Sequence, residues 1–299
     1  MPDPRLLHTT SHGWHWVGST WARLIALAGL GGAGLAYLTY LYASQVEPRW
    51  LDFNTRRLPL RRLDPAFDGY RIVQLTDFHL GRGKLLTPDR LETIVRRVNA
   101  GHPDLILFTG DFTSHLDAVG LDGISRLRLL KAPDGVFGIL GNHDYWAAPT
   151  RICSAAEDAG MRMLLNRHVV IRRGGAALVI AGLDDVWEKR QDIDAALRGI
   201  PAGAPVIMMV HESNYADWVA QDGRVDVQLS GHSHGGQVRV PLLGPLALPN
   251  QAWKYPMGLY RLNGMWLYVS RGVGLAQLPL RFNCRPEITT FILDTERPT

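Results

Sequence analysis

The sequence is poor in cysteine, and it has neither a Cys-x-x-Cys pair nor a long run of basic residues. Its two cysteines, Cys153 and Cys284, lie far apart in the 299-residue chain. A thiolate zinc knot is therefore excluded, which leaves two buried thiols, the alternative we favour, or a single disulfide. The net charge is only +4, and the lysines and arginines are not gathered into one stripe. We therefore expect no nucleic-acid partner.

Charged residues are also absent from residues 24–43. A run of this length can cross a bilayer as a helix, and Trp21 at one end and tyrosines at the other are typical of the two membrane interfaces. A cleaved signal peptide and a buried core helix are the alternatives. No Ala-x-Ala site follows the run, and no twin-arginine motif is present. We therefore predict an N-terminal tail over residues 1–23 and a single transmembrane helix over residues 24–43.

Arginines flank this predicted helix unevenly. Two precede it, and five follow it closely: Arg49, Arg56, Arg57, Arg61 and Arg62. Positive charge near a membrane helix favours the cytoplasmic side, so we expect a single-pass membrane protein with its larger part in the cytoplasm. A periplasmic position is the alternative, if these arginines instead serve the fold or bind lipid headgroups.

The rest of the chain predicts a linker with a first edge strand over residues 44–69 and one domain over residues 70–299. Apolar strands alternate with amphipathic helices, for example a helix capped by Thr87 and another over residues 116–131. The end of the chain is rich in strands. This order indicates an α/β sandwich with its sheets inside and its helices outside.

Polar side chains follow five of the predicted strands. They are Asp77 and His79, Asp111, Asn142 and His143, His211, and His232 and His234. Because strand ends on one edge of an α/β sheet meet in a crevice, we expect these side chains to lie close together. Carboxylate, amide and imidazole groups without thiolate suit Mn²⁺, Fe²⁺ or Zn²⁺. Two ions about 3.5–4 Å apart would require one carboxylate to bridge them.

The series Asp-x-His, Gly-Asp, Gly-Asn-His-Asp, His and Gly-His-x-His resembles the calcineurin-like metallophosphoesterase superfamily, in the expected order over residues 70–240. Glu-Pro-x-Trp at residues 47–50 and Arg-x-Asn-Cys-x-Pro-Glu at residues 281–287 further resemble its membrane-anchored bacterial branch. The resemblance implies a four-layer α/β/β/α sandwich, here preceded by one transmembrane helix, with two divalent metal ions as cofactors.

The same resemblance implies a role for each residue. One metal would be held by Asp77, His79, Asp111 and His234, and the other by Asp111, Asn142, His211 and His232, with Asp111 as the bridge. A metal-bridging hydroxide would attack phosphorus in line, and His143 would donate a proton to the departing oxygen. Asp144 would orient its loop. Arg82 either contacts a substrate phosphate or is a solvated loop side chain.

Two enzyme hypotheses follow. In the first, the substrate is a phosphodiester or pyrophosphate of a membrane lipid such as UDP-2,3-diacylglucosamine, which members of the resembled branch hydrolyse. The apolar loop at residues 241–256 would then accept acyl chains or enter the bilayer interface, unless it simply packs on the sheet. In the second, the enzyme is a broad phosphodiesterase of soluble or cell-envelope phosphoesters. A non-catalytic scaffold is disfavoured, because no ligand position of the motif series is lost.

Overall fold

The computed structural model describes residue 29 and residues 31–81 and 85–295. Contacts between residues divide the chain into two units, one that ends at Ala43 and one that begins at Ser44. In the first unit, residues 31–41 are α-helical. Within the described ranges, no helix has both the length and the apolar character that crossing a bilayer requires. The predicted tail at residues 1–23, and residues 24–28 and 30 of the predicted transmembrane helix, lie outside the described residues.

The second unit is built on two six-stranded sheets. Its strands are β1 (Asp52–Leu60), β2 (Arg71–Leu75), β3 (Leu105–Thr109), β4 (Val136–Ile139), β5 (Arg162–Met163), β6 (Arg167–Arg173), β7 (Ala176–Gly182), β8 (Val206–Met209), β9 (Val227–Ser230), β10 (Arg239–Val240), β11 (Gly244–Pro245), β12 (Gly258–Leu262), β13 (Met265–Val269) and β14 (Glu287–Thr295). Its helices are α1 (Pro88–Ala100), α2 (Ala118–Arg126), α3 (Asn142–Ala147), α4 (Pro149–Asp158), α5 (Ile193–Ala196) and α6 (Ala216–Asp222).

Strand direction brings the important strand ends to one edge. The first sheet has the order β1-β14-β2-β3-β4-β5, the second has the order β12-β13-β9-β8-β7-β6, and β10 and β11 form a separate hairpin. Within the first sheet β2, β3, β4 and β5 are parallel, and within the second β7, β8, β9 and β13 are parallel. Parallel strands end on the same side, so the loops after β2, β3 and β4 emerge together, as do those after β8 and β9.

Three apolar clusters define the layers. The first joins the facing sides of the two sheets, with Leu107 from one sheet and Leu229 from the other. The second packs the outer side of the first sheet, including Ile106, against α1 and α4. The third packs the outer side of the second sheet against α5 and α6. Leu107 and its neighbour Ile106 lie in different clusters because successive side chains of a strand point to opposite faces. The predicted α/β sandwich is confirmed.

Local signals account for most of the helix boundaries. As predicted, Thr87 caps α1, and its hydroxyl accepts a hydrogen bond of 3.3 Å from the amide of Arg90. The helix predicted over residues 116–131 is shorter than expected. The Asp117 carboxylate accepts the amide of Gly120 at 2.7 Å and starts α2 at Ala118, and the end of the segment tightens into a 3₁₀ turn, Leu127–Leu129.

Candidate metal centre

The loops after β2, β3, β4, β8 and β9 bring together the seven side chains that the sequence predicts as metal ligands. All seven are buried: Asp77, His79, Asp111, Asn142, His211, His232 and His234. Asp111 occupies the middle of the group. Its Oδ2 atom lies 3.5 Å from Nε2 of His79 and 3.3 Å from Nε2 of His211.

One part of the group has the geometry of a metal-binding cluster. Asp77, His79, Asp111 and His234 each present one ligand atom, and these four atoms lie within 4.8 Å of one another. Nε2 of His234 lies 2.8 Å from Nε2 of His79 and 3.4 Å from Oδ1 of Asp77. Two imidazole nitrogens and two carboxylates therefore point at one small volume, as a single divalent cation requires.

The other part contains buried polar atoms that lack a hydrogen bond. Asn142 Oδ1 and His211 Nε2 have no hydrogen-bond partner among the described residues, although buried polar atoms are normally paired. His211 donates from Nδ1 to the carbonyl of Thr109 at 2.8 Å, so in its neutral form the ring carries its lone pair on Nε2, the atom that faces Asp111. His232 donates from Nε2 to the carbonyl of Asn250 at 2.7 Å, which leaves its lone pair on Nδ1. The donor set fits a second cation.

Burial and neighbouring imidazoles shift the pKa values of this group strongly. Burial raises the pKa of the Asp77 carboxyl to about 7. Burial acts in the same direction on Asp111, but the imidazoles of His211 and His79 outweigh it and hold the pKa of Asp111 well below its usual range. Burial lowers the pKa of His232 to about 4, so this imidazole is neutral and its lone pair is available to a cation.

The backbone of the group is strained in a way that folding alone does not explain. Five of the seven side chains stand on residues with positive φ: Asp77 (53°), His79 (49°), Asp111 (58°), His232 (67°) and His234 (49°). Each such conformation costs a non-glycine residue about 1–3 kcal/mol, and strained residues concentrate at functional sites. Close packing adds a further requirement. A Cβ atom on Gly141 would lie 2.4 Å from Oδ1 of Asp111, so the glycine before Asn142 cannot be replaced without moving that carboxylate.

His143 lies beside the buried group rather than inside it. Its backbone amide donates to Oδ1 of Asp111 at 3.0 Å, and its ring meets that of His79 edge-on, with the ring centroids 4.8 Å apart. Asp144 orients this loop, because its carboxylate accepts hydrogen bonds from the amides of Phe112, Thr113 and Gly141. The predicted substrate-binding residue Arg82 lies outside the described residues.

A cavity of about 460 Å³ opens onto this centre. Asp111, Asn142 and His143 form one end of it. The remaining wall is largely apolar and includes Trp146, Trp187, Val238, Leu246, Leu248, Leu278 and Leu280. The cavity therefore joins a cluster of metal-type ligands to a surface suited to an apolar group.

Arg281 supports the centre from behind, a role that sequence reasoning missed. This fully buried guanidinium donates to the carbonyls of Arg271 and Gly274, both at 2.8 Å, and of Cys284 at 3.1 Å. It also lies 3.5 Å from Nδ1 of His234. The motif at residues 281–287 drew attention to this residue. Hydrogen bonds from a side chain to backbone carbonyls, however, have no sequence pattern of their own.

Glu212 is a second missed residue. Its buried carboxylate accepts the amides of Val186 at 3.2 Å and Trp187 at 3.1 Å, which fixes Trp187 on the cavity wall. The available signal was an acidic residue placed directly after His211 at the end of a buried strand.

The free thiols confirm the favoured prediction of buried thiols for Cys284 and confirm it only in part for Cys153. Neither Cys153 nor Cys284 forms a disulfide; Cys284 is buried and Cys153 is half-buried.

Comparison with known proteins identifies the family. Residues 70–236 match the model of the calcineurin-like phosphoesterases. The chain is 35% identical to the uncharacterized metallophosphoesterase YkuE of Bacillus subtilis, over 85% of this chain and 89% of that protein. It is 30% identical to phosphodiesterase YaeI of Escherichia coli, over 86% and 92%. It is also 30% identical to a zebrafish (Danio rerio) transmembrane protein with metallophosphoesterase domain, over 79% of this chain but only 56% of that protein. The chain therefore belongs to the calcineurin-like phosphoesterase family and is a metal-dependent phosphoric ester hydrolase.

Proposed function

We propose that the protein hydrolyses a phosphodiester or pyrophosphate bond of a membrane lipid such as UDP-2,3-diacylglucosamine. The observation that carries this proposal is the composition of the 460 Å³ cavity, where metal-type ligands at one end continue into an apolar wall. An amphiphile with a phosphate near its headgroup matches both ends, and burying its apolar part contributes about 25 cal/mol per Å².

Each buried side chain has a task in this proposal. Asp77, His79 and His234 would hold one cation and Asn142, His211 and His232 the other, with Asp111 placed to serve both. Mn²⁺, Fe²⁺ or Zn²⁺ suits this donor set, and when bound such ions act as Lewis acids and lower the pKa of water. Hydrogen bonds from Nδ1 of His211 and Nε2 of His232 fix the tautomer that presents a lone pair to the metal.

His143 acts on the substrate. It lines the cavity beside Asn142, and the hydrogen bond from its amide to Asp111 ties its position to the metal ligands. Its imidazole donates a proton to the departing oxygen, the role of a general acid.

Trp146, Trp187 and Leu248 hold the apolar part of the substrate. The indole rings of Trp146 and Trp187 meet edge-on with centroids 5.5 Å apart, and Glu212 fixes the backbone of Trp187. This wall gives the site a means of preferring a lipid to a small soluble ester.

A second candidate is a broad phosphodiesterase of soluble or cell-envelope phosphoesters. It is favoured by the 30% identity with YaeI, which is named simply a phosphodiesterase. The two candidates share their metal chemistry and differ in the use of the apolar wall.

Turnover of two substrates by the same preparation separates them. The full chain in detergent, supplied with Mn²⁺, is assayed on UDP-2,3-diacylglucosamine and on bis(p-nitrophenyl) phosphate. We expect higher kcat/KM for the lipid, and we expect Leu248→Asn to reduce kcat/KM for the lipid but not for the soluble ester. Equal losses on both substrates, or no hydrolysis of the lipid, would favour the broad phosphodiesterase.

We also propose that residues 24–43 anchor the protein in the inner membrane, with the catalytic domain in the cytoplasm. The uncharged stretch and the arginines that follow it support this location, as does the similarity to proteins named as transmembrane. Reporters fused after residue 299 test the side: fluorescence of a cytoplasm-dependent protein supports it, and alkaline phosphatase activity contradicts it.

A further inference from the structure

An exposed apolar tip stands at the mouth of the cavity. Leu242 and Leu243 lie in the turn between β10 and β11, with exposed fractions of 107% and 81%. Leu246, after β11, and Leu278 remain 67% and 53% exposed although both also line the cavity. These four residues, the hairpin-tip surface, therefore continue the cavity wall out into solvent.

Folding gives no reason for this arrangement. Leu242 has a φ of +70°, a conformation that is unfavourable for a branched apolar side chain, and its side chain gains no contact in return. A turn at this place is made more readily by Gly or Asn. Exposed apolar groups gathered beside a binding cavity are typical of a surface that contacts a membrane or a partner.

The charge of the surrounding segment favours a membrane over a protein as the partner of this surface. From Val227 to Pro286 the sequence contains no Asp or Glu. Of its six basic residues, Arg281 is buried and Lys254, Arg271 and Arg285 pair with carboxylates of other segments, which leaves Arg239 and Arg261. Arg239 begins the hairpin itself. A hairpin whose own sequence has no carboxylate is not repelled by anionic headgroups, and the basic side chain of Arg239 beside exposed leucines is attracted to them.

We propose that the hairpin-tip surface inserts into the boundary between headgroups and acyl chains of an anionic bilayer, so that the cavity opens at the membrane surface. This contact belongs to the catalytic unit and does not depend on residues 24–43. It also holds whichever phosphoester the enzyme cleaves.

A fluorescent probe on the tip tests the contact. Leu243→Cys is labelled with an environment-sensitive nitrobenzoxadiazole dye in a Cys153→Ser background, in which the other native thiol, Cys284, is buried. The full chain is reconstituted with vesicles of phosphatidylcholine and phosphatidylglycerol that carry spin-labelled lipid in both leaflets. Because the quencher is in the lipid, the result does not depend on the orientation of the protein.

Leu129→Cys is the matched control. Leu129 is also exposed, at 42%, but its carbonyl accepts a hydrogen bond from Asn99 in the last turn of α1. That turn leads to the amino end of β3, whereas the metal ligands follow the carboxyl ends of the strands. Leu129 therefore lies near the end of the sheet that is opposite to the metal centre. Both labelled proteins must hydrolyse bis(p-nitrophenyl) phosphate at the same rate, which establishes that both are folded.

We expect a blue shift and severalfold stronger lipid quenching for the probe at residue 243 than for the probe at residue 129. We also expect weaker quenching at residue 243 in vesicles of phosphatidylcholine alone. Equal quenching at the two positions would overturn the proposal, and a blue shift without lipid quenching would overturn it in favour of a protein partner. If residue 243 is strongly quenched but the enzyme does not hydrolyse UDP-2,3-diacylglucosamine, the membrane contact is supported and this lipid is rejected as the substrate.

Discussion

Oδ2 of Asp111 lies 3.3 Å from Nε2 of His211, and this contact joins the two sheets of the sandwich. Asp111 follows β3 of the first sheet, and His211 follows β8 of the second. The metal centre is therefore complete only when the sheets are packed together, so metal binding and folding must be coupled.

This coupling predicts the effect of removing metal. Chelation by EDTA should lower the melting temperature, and Mn²⁺ at about a hundred times its Kd should stabilise the fold by about 2.7 kcal/mol. For a domain of this size that corresponds to roughly 5–10 °C, measured by calorimetry. The Asp111→Asn variant should show a smaller shift, and an identical shift in both proteins would place the bound metal elsewhere.

His143→Ala should separate metal binding from chemistry. We expect kcat to fall about 10²–10⁴-fold, the effect of losing a general acid, while metal content stays normal, because the ring of His143 lies outside the buried ligand group. His232→Ala is the comparison, and it should lose metal as well as activity. Loss of metal from the His143→Ala protein, measured by elemental analysis, would contradict the role given to His143.

Arg281→Lys should weaken the metal centre without touching a ligand. Lysine keeps the charge, but its donors all lie on one nitrogen and cannot reach the four carbonyls that the planar guanidinium contacts, so some of them are left unpaired at a cost of about 1–3 kcal/mol. Because the guanidinium also lies behind His234, metal affinity should fall about 10–100-fold, the usual effect of losing a group that orients a ligand. Isothermal titration measures the affinity. Arg285→Lys, a change at a neighbouring arginine that is more exposed, is the control, and equal affinity in both variants would contradict this role.

The cysteines predict a pH dependence. Burial raises the pKa of the Cys153 thiol to about 11, and it also raises the pKa of Cys284. Because the thiolate is the reactive form, alkylation of the native protein by iodoacetamide should be slow at pH 8 and should accelerate only as the pH approaches 11. Mass spectrometry measures the rate, with the urea-unfolded protein as the control. Rapid alkylation of the native protein at pH 8 would contradict the burial of these thiols.

Local sequence patterns predicted the parts of the fold that depend on neighbours in the chain. The alternation of apolar strands with amphipathic helices predicted the sandwich, and Thr87 predicted the start of α1. The positions of the seven polar residues also followed from local information, because each comes directly after a strand and parallel strands end together.

Contacts between distant segments could not be read in the same way. β1 pairs in parallel with β14, with Asp52 opposite Glu287, and no local pattern specifies a partner so far along the chain. The hydrogen bonds from Arg281 to the carbonyls of residues 271 and 274 form only because the loops that carry these residues lie beside His234. The apolar loop at residues 241–256 left two alternatives open, packing on the sheet or contact with a lipid. Tyr255 packs in the third apolar cluster on the second sheet, whereas Leu248 lines the cavity and Leu242 is exposed.

The metal content of the wild-type protein and of Asp111→Asn tests the central claim most directly, with Asp122→Asn, a change at an exposed carboxylate on α2, as the control. Elemental analysis of Mn²⁺-loaded protein should find two ions per chain in the wild type and the control. It should find fewer than two in Asp111→Asn, together with loss of bis(p-nitrophenyl) phosphate hydrolysis. Two ions and normal turnover in Asp111→Asn would contradict a metal centre built around this carboxylate.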